Sequence, residues 1–558
     1  MSEPPGRPLP MLTLENEFFW TSGADGQLRF LRCASCSGLI HPPQPVCRYC
    51  RRHVLSPAPV SGFATLIGFT VNHRFSLPGL PAPYVVAQVA LEEDPRVRLT
   101  TNVVDCGDPS SSLFLGMRME VVFEQHGDVW LPLFRPCFDQ PAVAAPLPSD
   151  SIPPDEYWRH VRPMIAASKF EDKVALTGIG ASEKGRRLMR PPLSLTVEAC
   201  ERAVADAGLT MADIDGLSTY PGGGVLAGFG EGGISALEAA LGIRPTWYNG
   251  GTDTFGPSGS VIAAMLAVAA GLARHVLCFR TVWEATAAEL VRQGKAAPPA
   301  GAAAMGGGWL GPFGAVSAAH TLAMNAQRHF HAYGTTRETL GWIALNQRAN
   351  AAVNPSAIYR TPLTMDEYLS ARIVTTPFGL YDCDVPCDAS VAVIVSSVDA
   401  VGDVSCPPVF VEAVGTQIIE RIEWDQGTLT HEPQVLGPAA HLWTRTSLRP
   451  ADVSVAELYD GFTFNCLSWI EALGFCGIGE ARDFLDKGKN IARDGLLPLN
   501  THGGQLSHGR THGMGLLHEA IVQLRGEGGS RQVRDARVAV VSSGGLTPSG
   551  VLLLRAGT

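Results

Sequence analysis

A layered α/β fold of two similar halves, preceded by a small cysteine-rich module and a β-barrel, is the architecture the sequence predicts. Three observations predict it. Two CxxC pairs, Cys33/Cys36 and Cys47/Cys50, lie within one short stretch near the N-terminus. Residues 60 to 136 read as short strands separated by turn residues. From about residue 172 strands alternate with helices, and the pattern returns after residue 408. A chain of 558 residues is too long for one core, so several domains are expected. The divisions read here are 12–55 for the cysteine module with its leading helix, 56–137 for the barrel, 138–170 for a linker and 171–558 for the α/β unit.

Taken in order, Leu14 to Trp20 is a helix-like apolar segment ahead of the cysteines. Ala64–Val71, Tyr84–Leu91, Val97–Val104, Met117–Glu124 and Val129–Phe134 read as strands, a set that suits a small barrel. Phe138 to Glu156, FDQPAVAAPLPSDSIPPDE, is proline-rich and without period, the candidate linker. Lys173–Ile179 is a short buried strand. Leu195, Ala199, Ala203 and Ala207 recur every fourth residue, one face of a helix that Gly208 ends. LSTY at Leu217 is strand-like, Pro257 opens a helix that runs to Gly271, and the strand HVLCFR follows. In the second half Val455–Tyr459, Ala536–Val541 and Gly550–Leu554 read as strands, Phe462–Leu473 and His512–Leu524 as helices. Ala296–Gly314 is too glycine-rich for a regular element; a substrate-covering loop and a plain surface excursion both remain open.

Composition narrows the function classes. The chain is 46% hydrophobic and 17% charged, with a net charge of -10, which argues against a general nucleic-acid or anionic-membrane surface. MSEPPGRPLP has no apolar core of the kind a signal peptide needs, and the apolar run Val261–Leu272 is too short to span a bilayer. Thirteen cysteines in such a chain do not read as a disulfide framework, so a cytoplasmic location is expected.

Cys33, Cys36, Cys47 and Cys50 are spaced as CxxC, ten residues, CxxC. Two such knuckles supply four thiolates at tetrahedral positions, the closed set of a structural zinc site; a redox or disulfide role is the alternative. A zinc ribbon before a barrel could bind nucleic acid, so the local charges decide. Between residues 61 and 130, Arg74, Arg96, Arg98 and Arg118 face Glu92, Glu93, Asp94, Asp105, Asp108, Glu120, Glu124 and Asp128. A surface that neutralises phosphates is not acidic, and the nucleic-acid reading is rejected. Residues 12 to 136 instead resemble the acyl-CoA-associated family that pairs a rubredoxin-like zinc ribbon with an OB-fold and accompanies thiolase-like subunits.

ELYDGF, ALGFCGIGEARDF, LPLNTHGGQLSHGRTHG and EAIVQLRGE resemble the thiolase superfamily, and within it the lipid-transfer-protein branch that includes the steroid side-chain-cleaving aldolases. The resemblance covers about residues 172 to 556 and implies the two-half thiolase fold, α-β-α-β-α in layers. A condensing thiolase needs an acylated cysteine, a second cysteine and an Asn/His pair on the thioester oxygen. By that resemblance, Gly256 in FGPSGS takes the nucleophile's position, Ser542 the second cysteine's, Arg510 that of the GHP histidine and Tyr459 that of the NEAF/HDCF asparagine or histidine. Acyl transfer through a cysteine is therefore not expected.

Retro-aldol cleavage of a β-hydroxyacyl-CoA needs no nucleophile: a base takes the hydroxyl proton, the thioester carries the charge as an enolate, and donors stabilise that oxygen. The resemblance implies a catalytic tyrosine, matched by Tyr459, though the family has a second tyrosine where this chain has Arg510. A free tyrosine has a pKa of about 10, so Arg510 is expected to assist the phenolate. Arginine cannot donate a proton at neutral pH, and His512 is the candidate acid. Asp460 is grouped with them, as an orienting residue or as a binder of turn amides. Gly503, Gly504, Gly544 and Gly545 are expected to bring backbone amides to the substrate, with simple turn geometry as the alternative. Tyr459 could also be a buried strand cap and Arg510 a core ion pair. The spacing of His502, His508, His512 and His518 matches no metal pattern, and Cys383 and Cys387 read as structural thiols.

The function these readings imply is retro-aldol cleavage of a β-hydroxyacyl-CoA, with a bulky ring or steroid-type acid, to a ketone or aldehyde plus a short acyl-CoA. A thiolase or acyltransferase on acyl-CoA, and a non-catalytic acyl-CoA-binding scaffold, are the alternatives. CoA enters as part of the substrate, and no redox cofactor is expected. The resemblance also implies a homodimer through the thiolase-like domain; whether a hydratase partner delivers the substrate stays open, and neither nucleic acid nor membrane is an expected partner.

Overall fold

Cys33 and Cys47 each open a matching turn. Ser37 and Arg51 adopt left-handed φ of 60° and 61°, and their amides donate to the carbonyls of Cys33 and Cys47 at 2.8 and 2.7 Å. The turns are held on a three-stranded sheet in which β1 (Arg29–Cys33) pairs antiparallel with β2 (Leu39–Ile40) and β3 (Leu55–Pro59). The computed structural model describes residues 6–74, 76–137, 145–150, 152–165, 167–221, 230, 232–251, 254–296, 308–421, 425–544 and 549–557. The leading helix is a single turn, Glu17–Trp20, shorter than the apolar run suggests, because Asn16 and Thr21 bracket it.

The expected barrel strands are all present: β4 (Phe63–Asn72), β5 (Tyr84–Leu91), β6 (Arg98–Val103), β7 (Arg118–His126) and β8 (Val129–Pro136). They close in the order β4-β5-β6-β8-β7, with β7 returning to β4. A free-standing barrel strand alternates in and out, yet every residue of β5 is buried. Its outer face is covered by the rest of the chain: Tyr84 and Val86 pack with Ala315 and Met324, and Ala90 with Ile67 and Leu429. The supposed linker takes part in this cover. Tyr157 is buried and its hydroxyl lies 2.7 Å from that of Thr428, while Asp150 lies 3.8 Å from Arg98. Residues 138–144 of that segment fall outside the described residues.

The α/β part is one nine-stranded sheet. Its strands are β9 (Val174–Ala181), β10 (Gly216–Thr219), β11 (Trp247–Asn249), β12 (His275–Trp283), β15 (Asp388–Ser397), β16 (Val409–Gly415), β17 (Val455–Glu457), β18 (Val538–Ser543) and β19 (Gly550–Ala556). The order is β11-β10-β12-β15-β9-β16-β19-β18-β17, so the halves meet at the β9–β16 pairing. The strands β13 (Ile373–Thr375) and β14 (Phe378–Gly379), between β12 and β15 in the chain, instead extend the barrel sheet through Thr375 opposite Asn72. Helix α1 (Pro192–Ala207) buries Leu195, Ala199, Ala203 and Ala207 completely, and Gly208 ends it at φ 71°. Val551 to Leu554 of β19 are fully buried between layers, each contributing about 2 kcal/mol.

Further helices used below are α2 (Gly256–Ala269), α3 (Glu284–Arg292), α4 (Ala318–Tyr333), α5 (Arg337–Ala352), α6 (Thr463–Ala472) and α7 (Met514–Arg525). VAELY is a strand only to Glu457, and the helix expected from His512 begins at Met514, because His512 and Gly513 have positive φ. Of the glycine-rich stretch, residues 297–307 fall outside the described residues. Its end is anchored: Trp309 stacks on Trp20 at 4.9 Å. No helix among the described residues is long and apolar enough to cross a membrane.

Candidate active site

Three element ends meet at one place: the start of α2 and the C-terminal ends of the parallel neighbours β17 and β18. Gly256 opens α2 at φ 63°, and a Cβ built there would have Gly544 O at 3.5 Å and Ser543 Oγ at 3.6 Å as its nearest neighbours. Room for a nucleophile exists at Gly256, but the position carries no side chain. The Ser543 hydroxyl donates to Phe255 O at 2.9 Å, and Ser542 Oγ accepts the Tyr459 amide at 2.8 Å. Both serines are thus held in backbone contacts. Gly545 lies outside the described residues.

Tyr459 follows β17 and is buried, its ring against Gly544 and Gly461. Burial pushes its phenol far above the usual range, and the charges of Asp384 and Glu432 push the same way; Arg510 and a Gln505 hydrogen bond oppose them without prevailing. The phenol is held protonated.

The expected pull of Arg510 on the phenol is present in direction, but it does not offset burial. The guanidinium is bridged to Glu284, at the start of α3, and to Asp384 at 3.2 Å. Burial alone would disfavour the cation, but these two carboxylates outweigh it and raise its pKa. Arg510 thus pairs with two carboxyl groups while still lowering the Tyr459 phenol. Asp384 is raised to about 7, by burial against the pull of Arg510.

His512 has φ 53°, and Arg280 of β12 lies with Nη2 2.6 Å from its Nδ1. A guanidinium only donates, so Nδ1 accepts and the proton sits on Nε2, 3.7 Å from Glu284 Oε1. Burial, then Arg280 and Arg510, hold the ring's pKa well below the usual value. That direction favours the neutral ring, whose Nε2–H is placed to donate a hydrogen bond.

Asp460 turns to the 500–505 loop: its Oδ1 accepts the Gln505 amide at 2.8 Å, and burial raises its carboxyl to about 7. Gly504 sits so close that any Cβ would strike the Asp460 carboxylate, and Gly503, at φ 110°, abuts Ala351 of α5 with a Cβ contact of 2.7 Å. These two glycines serve internal packing. Gly544 lies on the reaction side, where a Cβ would come 2.6 Å from Glu432 and 3.4 Å from Tyr459. Arg280, Glu284, Asp384 and Glu432 were missed by sequence reasoning; the one signal present was a lone arginine inside the apolar strand HVLCFR.

A cavity of about 720 Å³ opens beside this centre and reaches Arg510, Asp384 and Cys383. Burial first, then Asp382 and Asp384, drive the Cys383 thiol up, and burial pushes Cys387 up to about 12. In the N-terminal module the four Sγ atoms of Cys33, Cys36, Cys47 and Cys50 lie within 4.8 Å of one another, with Cys33–Cys50 at 3.5 Å and Cys36–Cys47 at 3.6 Å. A tetrahedral zinc with sulfur ligands at about 2.3 Å spaces its sulfurs at about 3.8 Å, so the four thiols fit that ion. His329, His431 and Glu471 also cluster, but Glu471 is saturated: it accepts from both imidazoles and from the amides of Gly479 and Ala481.

Three family models match the chain: the ChsH2 rubredoxin-like zinc ribbon domain over 20–56, the ChsH2 C-terminal OB-fold domain over 58–124, and the thiolase C-terminal domain-like family over 432–554. The steroid side-chain-cleaving aldolase of Thermomonospora curvata is 34% identical over 387 residues, 68% of this chain and 97% of that protein. The 17-hydroxy-3-oxo-4-pregnene-20-carboxyl-CoA lyase of Mycobacterium tuberculosis is 34% identical over 393 residues, 68% and 99% of the two chains. A solved Ltp2-ChsH2(DUF35) aldolase superposes with a TM-score of 0.60 at 32% identity, over 69% of this chain and 98% of that one.

Proposed function

This chain belongs to the steroid side-chain-cleaving aldolases of the thiolase superfamily, with zinc ribbon and OB-fold on the same polypeptide, and we propose how its residues divide the retro-aldol reaction. It is a carbon–carbon lyase that cleaves a β-hydroxyacyl-CoA of steroid type to a ketone or aldehyde and a short acyl-CoA. Tyr459 takes the β-hydroxyl proton while passing its own to Asp384, so no free phenolate accumulates. The Cα–Cβ bond breaks and its electron pair is held as the thioester enolate. The His512 Nε2–H and the backbone beside Gly544 donate to that oxygen. Asp384 then returns the proton through Tyr459 to the α-carbon, and the balance closes. Arg510 and Glu284 hold Asp384 in place, and Arg280 holds the His512 tautomer.

The observation that carries this reading is the exchange at the reaction centre: a bare Gly256 and two serines engaged by backbone, with a buried phenol beside them. Covalent acyl transfer is less well supported, because the Cys383 thiol at the cavity is kept protonated. A binding scaffold leaves the Arg510, Asp384 and Glu284 set without a purpose. Cys33, Cys36, Cys47 and Cys50 would hold a structural zinc, whose filled coordination offers nothing to substrate. A homodimer through the α/β unit belongs to the same proposal, supported by the edge strand β11 and the exposed Tyr248, Leu266 and Leu272. So does a cytoplasmic location, since none of the thirteen cysteines is in a disulfide, and a hydratase is the chemistry that would supply a β-hydroxyacyl-CoA. The test is turnover of β-hydroxyacyl-CoA thioesters by wild type and by Asp384→Asn: loss of cleavage with thioester binding retained supports the relay, and undiminished cleavage refutes it.

A further inference from the structure

Chain positions on both sides of Arg510 and His512 line a second cavity, of about 280 Å³, which shares no lining residue with the first. His502 and His508 reach it from the segment 502–508, His518 from α7, and Lys184 from the turn after β9. The Lys184 ammonium lies 2.8 Å from His508 Nδ1. Across the ring, the Ser356 hydroxyl donates to Asn354 Oδ1 at 2.8 Å, and its oxygen accepts the His508 Nε2–H at 3.1 Å. His508 Nδ1 is therefore the acceptor that an ammonium, which only donates, requires. A neutral imidazole is thus the hydrogen-bond partner of Lys184, and the lysine makes no salt bridge among the described residues.

Every other charge on the cavity wall is matched. Arg531 pairs with Glu519 at 2.8 Å, Arg202 with Glu198 at 2.7 Å, and Glu183 with Arg190 at 3.1 Å. Burial keeps the imidazoles neutral, with His502 and His518 each lowered to about 3 and His508 well below its usual value. It also lowers the Lys184 amine, to about 8, against the weaker pull of Cys387 and Glu519. A cation held away from water with no counter-charge is costly, and a bound anion removes that cost. Two of the three ammonium N–H groups remain for it, and the cavity is at the small end for a ligand site. We propose that Lys184, with His508 and His518 beside it, forms a second binding site, for a small oxyanion such as a phosphate or a short polycarboxylate, outside the reaction cavity. The proposal stands apart from the aldolase chemistry.

The test is calorimetric titration of the full chain with inorganic phosphate and with citrate, at pH 8 and constant ionic strength, for wild type and Lys184→Met. Methionine keeps the aliphatic stem and drops the uncompensated charge, so without anion the variant should melt no lower than wild type. Wild type is expected to bind at least one probe saturably, and Lys184→Met to bind it about tenfold more weakly or worse. Binding should also draw protons from the buffer, because the anion favours the charged amine. That uptake is read on wild type alone, as heats that differ between buffers of unequal ionisation enthalpy, so it does not depend on how the variant folds. Tighter phosphate assigns the site to phosphate-bearing ligands and tighter citrate to polycarboxylates; either supports the proposal. No saturable binding of either probe, equal affinity in Lys184→Met, or binding without proton uptake overturns it. No turnover enters the readout, so failure of the aldolase reading would not be mistaken for failure here.

Discussion

Replacing Asp384 with asparagine should make the protein more stable in alkali and far less active. The carboxyl is held at about 7 against an ordinary 3.8, a difference worth about 4 kcal/mol between its ionised and protonated forms. The unfolded chain ionises this group first as pH rises. In wild type this group's contribution to stability is therefore full below about pH 4 and is lost progressively up to about pH 7. The neutral amide of the Asp384→Asn variant would carry no such cost, so its advantage should grow across that window and level off at up to about 4 kcal/mol above it. Some of this is returned because Arg510 then keeps only Glu284. Removing the proton acceptor should cost about 10²- to 10⁴-fold in kcat. Urea unfolding at pH 5 and pH 8, with turnover on the same preparations, measures both. A variant no more stable at pH 8 than wild type, or one that keeps full kcat, refutes the reasoning.

Other consequences are as direct. Wild-type kcat/KM should climb as pH rises through about 7, when Asp384 ionises, and a profile flat across pH 6 to 8 would contradict the assignment. Glu471→Ala strands two buried imidazoles, one buried amide and one half-buried amide, and should cost about 3 kcal/mol or more in a urea melt; a change under about 1 kcal/mol would mean the network is slack. Cys36→Ser should release zinc, measured by metal analysis, and lower the melting temperature of the N-terminal module, with retained zinc as the contrary result.

Some of this architecture was legible along the chain and some was not. Cys33 to Cys50 could be read because all the ligands fall within one short loop, and the barrel strands because turns bound each one. The helix from Pro192 showed itself by a four-residue alanine period. Helices α4 and α5 did not, since they are buried on most sides and carry their polar residues inward, Asn325, His329, Gln347 and Asn350 among them. Tyr459 and Gly256 were visible through resemblance. The electrostatics around them was hidden, because Arg280 and Glu284 lie about a hundred residues from Asp384 and further still from Arg510, and the four meet only in the fold. That meeting, together with burial, sets the direction in which the Tyr459 phenol and the His512 ring are shifted.

A buried phenol, and no thiol, is assigned the proton in carbon–carbon cleavage. Turnover of a β-hydroxyacyl-CoA by Tyr459→Phe, with ketone or aldehyde and acyl-CoA both quantified, tests that assignment most directly. The expected outcome is a folded protein that binds the thioester and releases neither product at a significant rate. Release of both products at the wild-type rate would contradict it.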